Sequence, residues 1–242
     1  MQRFPAASVS VACIEVGGSG CETVLRPANG RVAVHTGATA PPGYTTLIAA
    51  PGLVREGRVV RASNLNWFDV DPAVELGLPQ PAALLLNDAD AAARGERWLR
   101  PGRPGLLYIG LGTGVGDAVV GPEGRGDRYG VVGHTRGYGN RQCTCGEKGC
   151  LETVIGGWAL STSPDVLELE HAAAALGDAA ARAATAYGVS LVVLAGGIVR
   201  RHPQLLGHVV AHASGLTVER TAAPATMKSA ASWGLLSSWL AE

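Results

Sequence analysis

Residues 130–152 read GVVGHTRGYGNRQCTCGEKGCLE, and no other stretch limits the fold as tightly. It gathers three of the chain's five cysteines and one histidine into a short, glycine-rich segment. His134, Cys143, Cys145 and Cys150 make a Cys3His set, a complete tetrahedral ligand group for zinc. Thiols this dense, broken by Gly137, Gly139, Gly146 and Gly149, predict a knuckle folded around a metal rather than a helix or strand. The competing readings are a cluster of reduced thiols, or a disulfide such as Cys143 to Cys150. Four ligands of the right type close together in a chain of intracellular character favour zinc. A site closed by four protein ligands is structural, so this metal is not expected to react.

Length and charge set the remaining bounds. The 242 residues suffice for one large domain or two lobes with a real core. Twenty Lys plus Arg balance twenty Asp plus Glu, with no basic stripe, so nucleic acid is not an expected partner. No apolar run is long enough to span a bilayer. The first residues, MQRFPAASVSVACIEV, lack a signal-peptide layout, so a cytoplasmic, reducing compartment is expected. Cys13 and Cys21 then read as free thiols on strands.

Periodicity places the elements. SVSVACIEV at 8–16 predicts a buried strand, followed by the turn Gly17, Gly18, Ser19, Gly20 and a returning strand at 21–25. Further strands are expected at 31–35, 45–50 and 81–86, the last delivering Asn87 and Asp88 to the start of an Ala-rich helix at 89–99. A second set begins with a strand at 106–111, the glycine loop 112–116 and a strand at 117–120. Residues 168–187 predict a helix in two parts, broken at Gly177 and restarted by Asp178 as N-cap. A strand at 190–195 opens onto Gly196 and Gly197, and 208–213 and 230–240 look helical. Two strand–glycine turn–strand units suggest two related lobes facing a cleft.

Backbone N–H groups of Gly17, Gly18 and Ser19 in one turn, and of Gly112, Thr113 and Gly114 in the other, have the character of phosphate cradles. Each is equally an ordinary hairpin turn when taken alone. Asp88 at the C-terminal end of a buried strand faces the crevice where α/β sheets bind ligands. Either Asp88 or Asn87 can instead cap the following helix.

The knuckle also carries a resemblance. G-H followed by C-T-C-G-E-K-G-C-L-E resembles the zinc signature of the ROK family (repressors, open reading frames and sugar kinases). IEVGGSG, APGLV, SNLNW, LNDADAAARGE, GLGTGVG and VVLAGGIV follow the family order along nearly the whole chain. The resemblance implies an α/β fold of actin-like, ribonuclease H-like type. It is the two-lobed hexokinase fold with an inserted zinc knuckle, trimmed by about two helices. The lobes are expected at 1–104 plus 229–242, and at 105–228 with the zinc loop 134–150.

What the resemblance implies for chemistry is ATP-dependent phosphorylation of a sugar hydroxyl, on a hexose or N-acetylhexosamine, with magnesium accompanying ATP. Asp88 corresponds to the family's general base. Asn87, His134 and Glu152, with Asn64 in SNLNW, correspond to sugar contacts, and His134 serves both metal and sugar. Gly196 and Gly197 would let adenine approach the backbone. The alternative is a catalytically degenerate member that senses sugar or acts as a scaffold.

Three departures bear on that choice. Val131 stands where the family usually has a sugar-binding Glu, three residues before the knuckle His. Gly20 stands where the turn often carries Lys, while Glu15 replaces an Asp as it does in some members. Helix is missing between Leu25 and Pro51 and again between Glu152 and Gly196. Apolar strand residues at 32–34 and 47–49 then need cover, which predicts a homodimer or higher homo-oligomer.

Overall fold

Apolar and β-branched runs become the central strands. A computed structural model describes residues 8–18, 20–29, 31–122, 126–161 and 163–241, apart from the side chain of Asp127. The chain opens with β1 (Val11–Gly17), β2 (Gly20–Arg26), β3 (Ala33–Thr36), β4 (Thr45–Ala50), β5 (Leu53–Arg55), β6 (Arg58–Ala62) and β7 (Trp67–Val70). Next come α1 (Pro72–Glu75), β8 (Leu84–Asn87) and α2 (Asp88–Trp98). It continues through β9 (Leu106–Leu111), β10 (Val115–Val120), β11 (Gly126–Tyr129), α3 (Glu152–Ile155), α4 (Val166–Tyr187) and β12 (Leu191–Ala195). The chain closes with α5 (Gly197–Arg201), α6 (Leu205–His212), β13 (Thr217–Arg220) and α7 (Ala231–Trp239).

Two compact units result: Met1–Arg100 with Ala222–Glu242, and Pro101–Thr221. Each contains a five-stranded sheet, in the order β3-β2-β1-β4-β8 and β11-β10-β9-β12-β13 respectively. Both are built the same way. A central strand pairs antiparallel with the strand that follows it and parallel with a later one: β1 with β2 and β4, β9 with β10 and β12. This is the structural form of the two strand–glycine turn–strand units read from the sequence.

The meander β5-β6-β7 is absent from the sequence reading, and it changes the packing argument. Ile14, Val16, Ile48 and Ala50 share one face of the first sheet, by the period of two along a strand. They form one core with Val59, Ala62 and Ala73, and with Trp67 and Val70 packed against it. The opposite face meets α2 and α7. Leu47, Ile48 and Ala49 are therefore fully buried within the chain itself. The expected need for a partner chain narrows to the edge strand β3 and the residue before it, where Val34 and Val32 are about 40% exposed.

A second correction concerns α4. It is one continuous helix of 22 residues, capped by Asp165, whose side chain accepts from Glu168 N, rather than two pieces split at Gly177. Gly177 is there for a close crossing: a Cβ at that position would lie 2.7 Å from His212 Cβ on α6. Asp178 caps nothing; it accepts from the Tyr138 hydroxyl at 2.8 Å and pairs with Arg182 at 2.9 Å. The second unit's core is large, with Leu107, Ile109 and Leu111 against Leu176, Ala180 and Leu194.

At the C-terminal end of α2, Glu96 is fully buried, pairs with Arg100 and accepts Ala222 N at 3.0 Å. That bond fixes where the chain re-enters the first unit before forming α7. No helix among the described residues is long and apolar enough to cross a membrane.

Candidate active site

In the first unit, the parallel strands β1, β4 and β8 bring their carboxyl ends to one edge of the sheet, the edge where α/β sheets bind ligands. Asn87 and Asp88 stand there with different tasks. Asn87 is the N-cap of α2: its Oδ1 accepts from Ala89 N and Asp90 N, and its Nδ2 donates to Gly52 O at 2.9 Å. Asp88, the first residue of α2, is not the cap residue; its Oδ1 accepts at 2.9 Å from Ala89 N, an N–H it shares with Asn87. Burial pushes the Asp88 carboxyl above its usual range, against the opposing pull of Lys228.

Glu15, on β1, is buried and accepts the Ser229 hydroxyl at 2.7 Å. Burial lifts its carboxyl to about 7, with Lys228 and Ser229 pulling downward and Asp88 adding a smaller upward push. Gly17, Gly18 and Gly20 sit in the β1–β2 turn; Ser19 lies outside the described residues. Asn64 is exposed in the β6–β7 turn, and the described contacts tie Asn87 to Gly52 rather than to Asn64.

In the second unit, the knuckle brings its four expected ligands together. The ligand atoms of His134, Cys143, Cys145 and Cys150 all lie within 4.8 Å of one another. Cys145 Sγ is 3.6 Å from Cys150 Sγ, and His134 Nδ1 is 3.7 Å from Cys143 Sγ. Tetrahedral zinc with ~2.3 Å bonds to sulfur sets neighbouring ligand atoms ~3.8 Å apart, so the set fits that ion. None of the five cysteines is disulfide-bonded.

Glu152, at the start of α3, is buried and heavily engaged. Its Oε2 accepts Val115 N at 2.8 Å, while Oε1 accepts from Thr144 Oγ1 at 3.2 Å and Trp158 Nε1 at 3.3 Å. The knuckle and the glycine loop are thus tied through one carboxylate. Gly114 packs against that carboxylate, while Gly112 and Thr113 are exposed at the tip of the loop. Gly196 sits at the carboxyl end of β12 with φ 99 and its Cα against Leu111 O, and open space surrounds Gly197.

A model of the ROK family matches residues 39–166, more than half of the 242. The chain belongs to the ROK family. It is 27% identical to a glucokinase of Halalkalibacterium halodurans over 223 residues, covering 72% of this chain and 68% of that one. Against a glucokinase of Thermotoga maritima it is 34% identical over 153 residues, 57% of this chain and 44% of that protein. The ROK hexokinase of Thermus thermophilus superposes with a TM-score of 0.72 at 21% identity, covering 96% of this chain and 98% of that one. The fold is therefore the actin-like fold of ROK hexokinases.

Within this ROK chain, Val131 packs its side chain against the second unit's core. A carboxylate absent from the sequence reading stands close to it. Asp117, on β10, is 1% exposed and accepts three backbone N–H groups: Val131 at 2.6 Å, Val132 at 3.0 Å and Gly133 at 2.8 Å. Burial raises its carboxyl, partly offset by those donors and by His134. It clamps the segment that presents His134. Lys228 and Ser229 were also missed, although a lone Asp inside the apolar run VGDAVV and a lone Lys ahead of SAASWGLL were visible signals.

Proposed function

We propose that this ROK protein transfers the γ-phosphoryl group of ATP to a hydroxyl of a hexose or N-acetylhexosamine. The observation that carries the reading is the division of labour at β8. Asn87 takes the helix cap, so the Asp88 carboxylate is left at the sheet edge with its basicity raised by burial. A base whose pKa lies nearer the working pH is the better proton acceptor.

In this mechanism Asp88 takes the proton of the sugar hydroxyl as that oxygen attacks the γ-phosphorus. The new O–P bond forms, the bond to the β–γ bridging oxygen breaks, and ADP leaves with the charge. In the first unit the β1–β2 turn would supply backbone donors to phosphate oxygens; in the second the Gly112–Thr113–Gly114 loop has the same character, and the open space beside Gly197 leaves room for adenine. Magnesium bound to the nucleotide would supply positive charge against its phosphates.

Zinc would be held by His134, Cys143, Cys145 and Cys150 and would supply folding energy to the knuckle. His134 turns Nδ1 toward Cys143, which leaves Nε2 for a sugar hydroxyl. Glu152 already accepts from Val115 N, Thr144 Oγ1 and Trp158 Nε1, with the Cys143 thiol at 3.9 Å, so its proposed part in sugar recognition runs through lone pairs left over from those bonds.

A second reading, sugar binding without phosphoryl transfer, is favoured by Val131. Leaving a sugar hydroxyl without its partner costs ~1–3 kcal/mol. A coupled ADP-release assay across hexoses and N-acetylhexosamines separates the two. Turnover with at least one sugar supports the kinase. Calorimetric sugar binding with no turnover on any of them would assign the chain to the sensor class.

A further inference from the structure

The β1–β2 turn reads as lacking a cation, because residue 20 is glycine. The fold supplies one from more than two hundred residues away in sequence. Lys228 lies in the segment leading into α7, and its Nζ is 3.3 Å from Gly20 O. A Cβ at residue 17 would clash with that same Nζ, so the ammonium occupies the space a side chain at Gly17 would fill.

Both neighbours of this contact are pinned. Lys228 N donates to the two carboxylate oxygens of Glu22 at 3.0 Å each, and Ser229 Oγ donates to Glu15 Oε2 at 2.7 Å. With its backbone held by β2 and the next residue held by β1, Lys228 has a fixed root and a short reach to the turn.

The turn itself explains why the charge comes from elsewhere. Gly20 has φ 125, a conformation that side-chain-bearing residues rarely adopt. A lysine at position 20 would strain this turn, whereas one arriving over Gly17 does not. Lysine acts toward phosphate as a point charge with three donors, so its origin in the chain is immaterial if the ammonium arrives in the right place.

We infer that Lys228 is the cationic phosphate ligand of the first unit, holding the terminal phosphates of the bound nucleoside triphosphate over the β1–β2 turn. This deepens the kinase reading and rests on it. The site serves a polyphosphate anion: Gly17 and Gly18 offer backbone N–H groups and Lys228 offers the charge. Glu15 and Asp88 stand close enough to feel the same ammonium, so without nucleotide it also balances them.

The test is binding of ATP and of adenosine to the full-length chain, without sugar, in wild type and Lys228→Gln. Loss of a charge-assisted contact to phosphate should weaken ATP ~10- to 100-fold, with adenosine unchanged. Gly17→Ala keeps the lysine but crowds its ammonium, and it should weaken ATP in the same selective way, which covers the case of a poorly folded Lys228→Gln. An unchanged ATP-to-adenosine ratio in both variants, with a lowered melting temperature in Lys228→Gln, would make Lys228 a structural counter-ion and end the inference while leaving the kinase reading intact. A wild-type protein that binds no ATP would overturn both.

Discussion

Each unit holds an aspartate whose carboxyl is raised by burial, and the two are bonded in opposite ways. Asp117 commits both oxygens to three backbone N–H groups and is 1% exposed. Asp88 is half-buried and shares a single helix N–H, that of Ala89, with the cap residue Asn87. Burial raises both carboxyls. A shifted pKa alone therefore does not tell a clamp from a base. The count of committed lone pairs does: a saturated carboxylate fixes backbone, and an unsaturated one at a ligand edge can take a proton.

The largest expected effect tests the loop that Asp117 holds. Structural zinc in small domains binds with ~10–16 kcal/mol, so stripping it with a strong chelator should unfold the 134–150 segment and make all three knuckle thiols titratable. Elemental analysis of chelator-free protein should give one zinc per chain. Fewer than that, with thiols already reactive, would remove the metal from the account.

Asp88→Asn should cost ~10²–10⁴ in kcat while leaving thermal stability equal or higher, because a neutral amide is easier to bury at this edge. Asp117→Asn should behave in reverse. Asparagine offers one acceptor oxygen to three donors, and each buried N–H left unpaired costs ~1–3 kcal/mol of stability. Equal kinetic losses in the two variants, at equal stability, would erase the distinction drawn between them.

Glu15 sharpens the comparison through pH. Its folded carboxyl is raised from an ordinary 4.5 to about 7, so the folded state holds the proton more tightly than the unfolded chain does. The associated stability is full below pH ~4.5 and is lost as pH climbs through about 7, by an amount on the order of 3 kcal/mol. Glu15→Gln should gain on wild type across that window in urea melts. A constant difference between the two proteins from pH 4 to 8 would contradict it.

The smallest effect is expected at Gly177. Alanine there has better helix propensity but meets His212 on α6, and overpacking of this kind costs ~1–3 kcal/mol. A stabilised Gly177→Ala protein would mean the α4–α6 crossing relaxes freely.

The local parts of the molecule were legible in its residues. Strands such as Thr45–Ala50 and Leu106–Leu111 declare themselves because burial on both faces demands unbroken apolar runs. The knuckle is legible because its ligands fall between residues 134 and 150, so that spacing alone can bring them together. The helix α4 was misread at one point, since a glycine that breaks a helix and one that admits a crossing neighbour look alike until α6 is in place.

The meander β5–β7 was missed for a related reason. Its strands are short and partly exposed, and the apolar residues they carry make sense only once they lie on Ile14 and Ile48. The phosphate-side chemistry lay furthest from view. Residues 15, 17, 20, 22, 88, 228 and 229 meet because β1, β2, β8 and the segment before α7 converge on one sheet edge. Sequence spacing carries no information about such a meeting. By itself the sequence determined the central strands, where the four candidate metal ligands sit and which family the chain resembles, because those depend on short-range pattern. Only the tertiary structure decided that Asn87 caps while Asp88 does not, that Asp117 is a clamp, and that a lysine from the far end of the chain stands over the turn, because each depends on which long-range neighbour takes up a polar group's free valences.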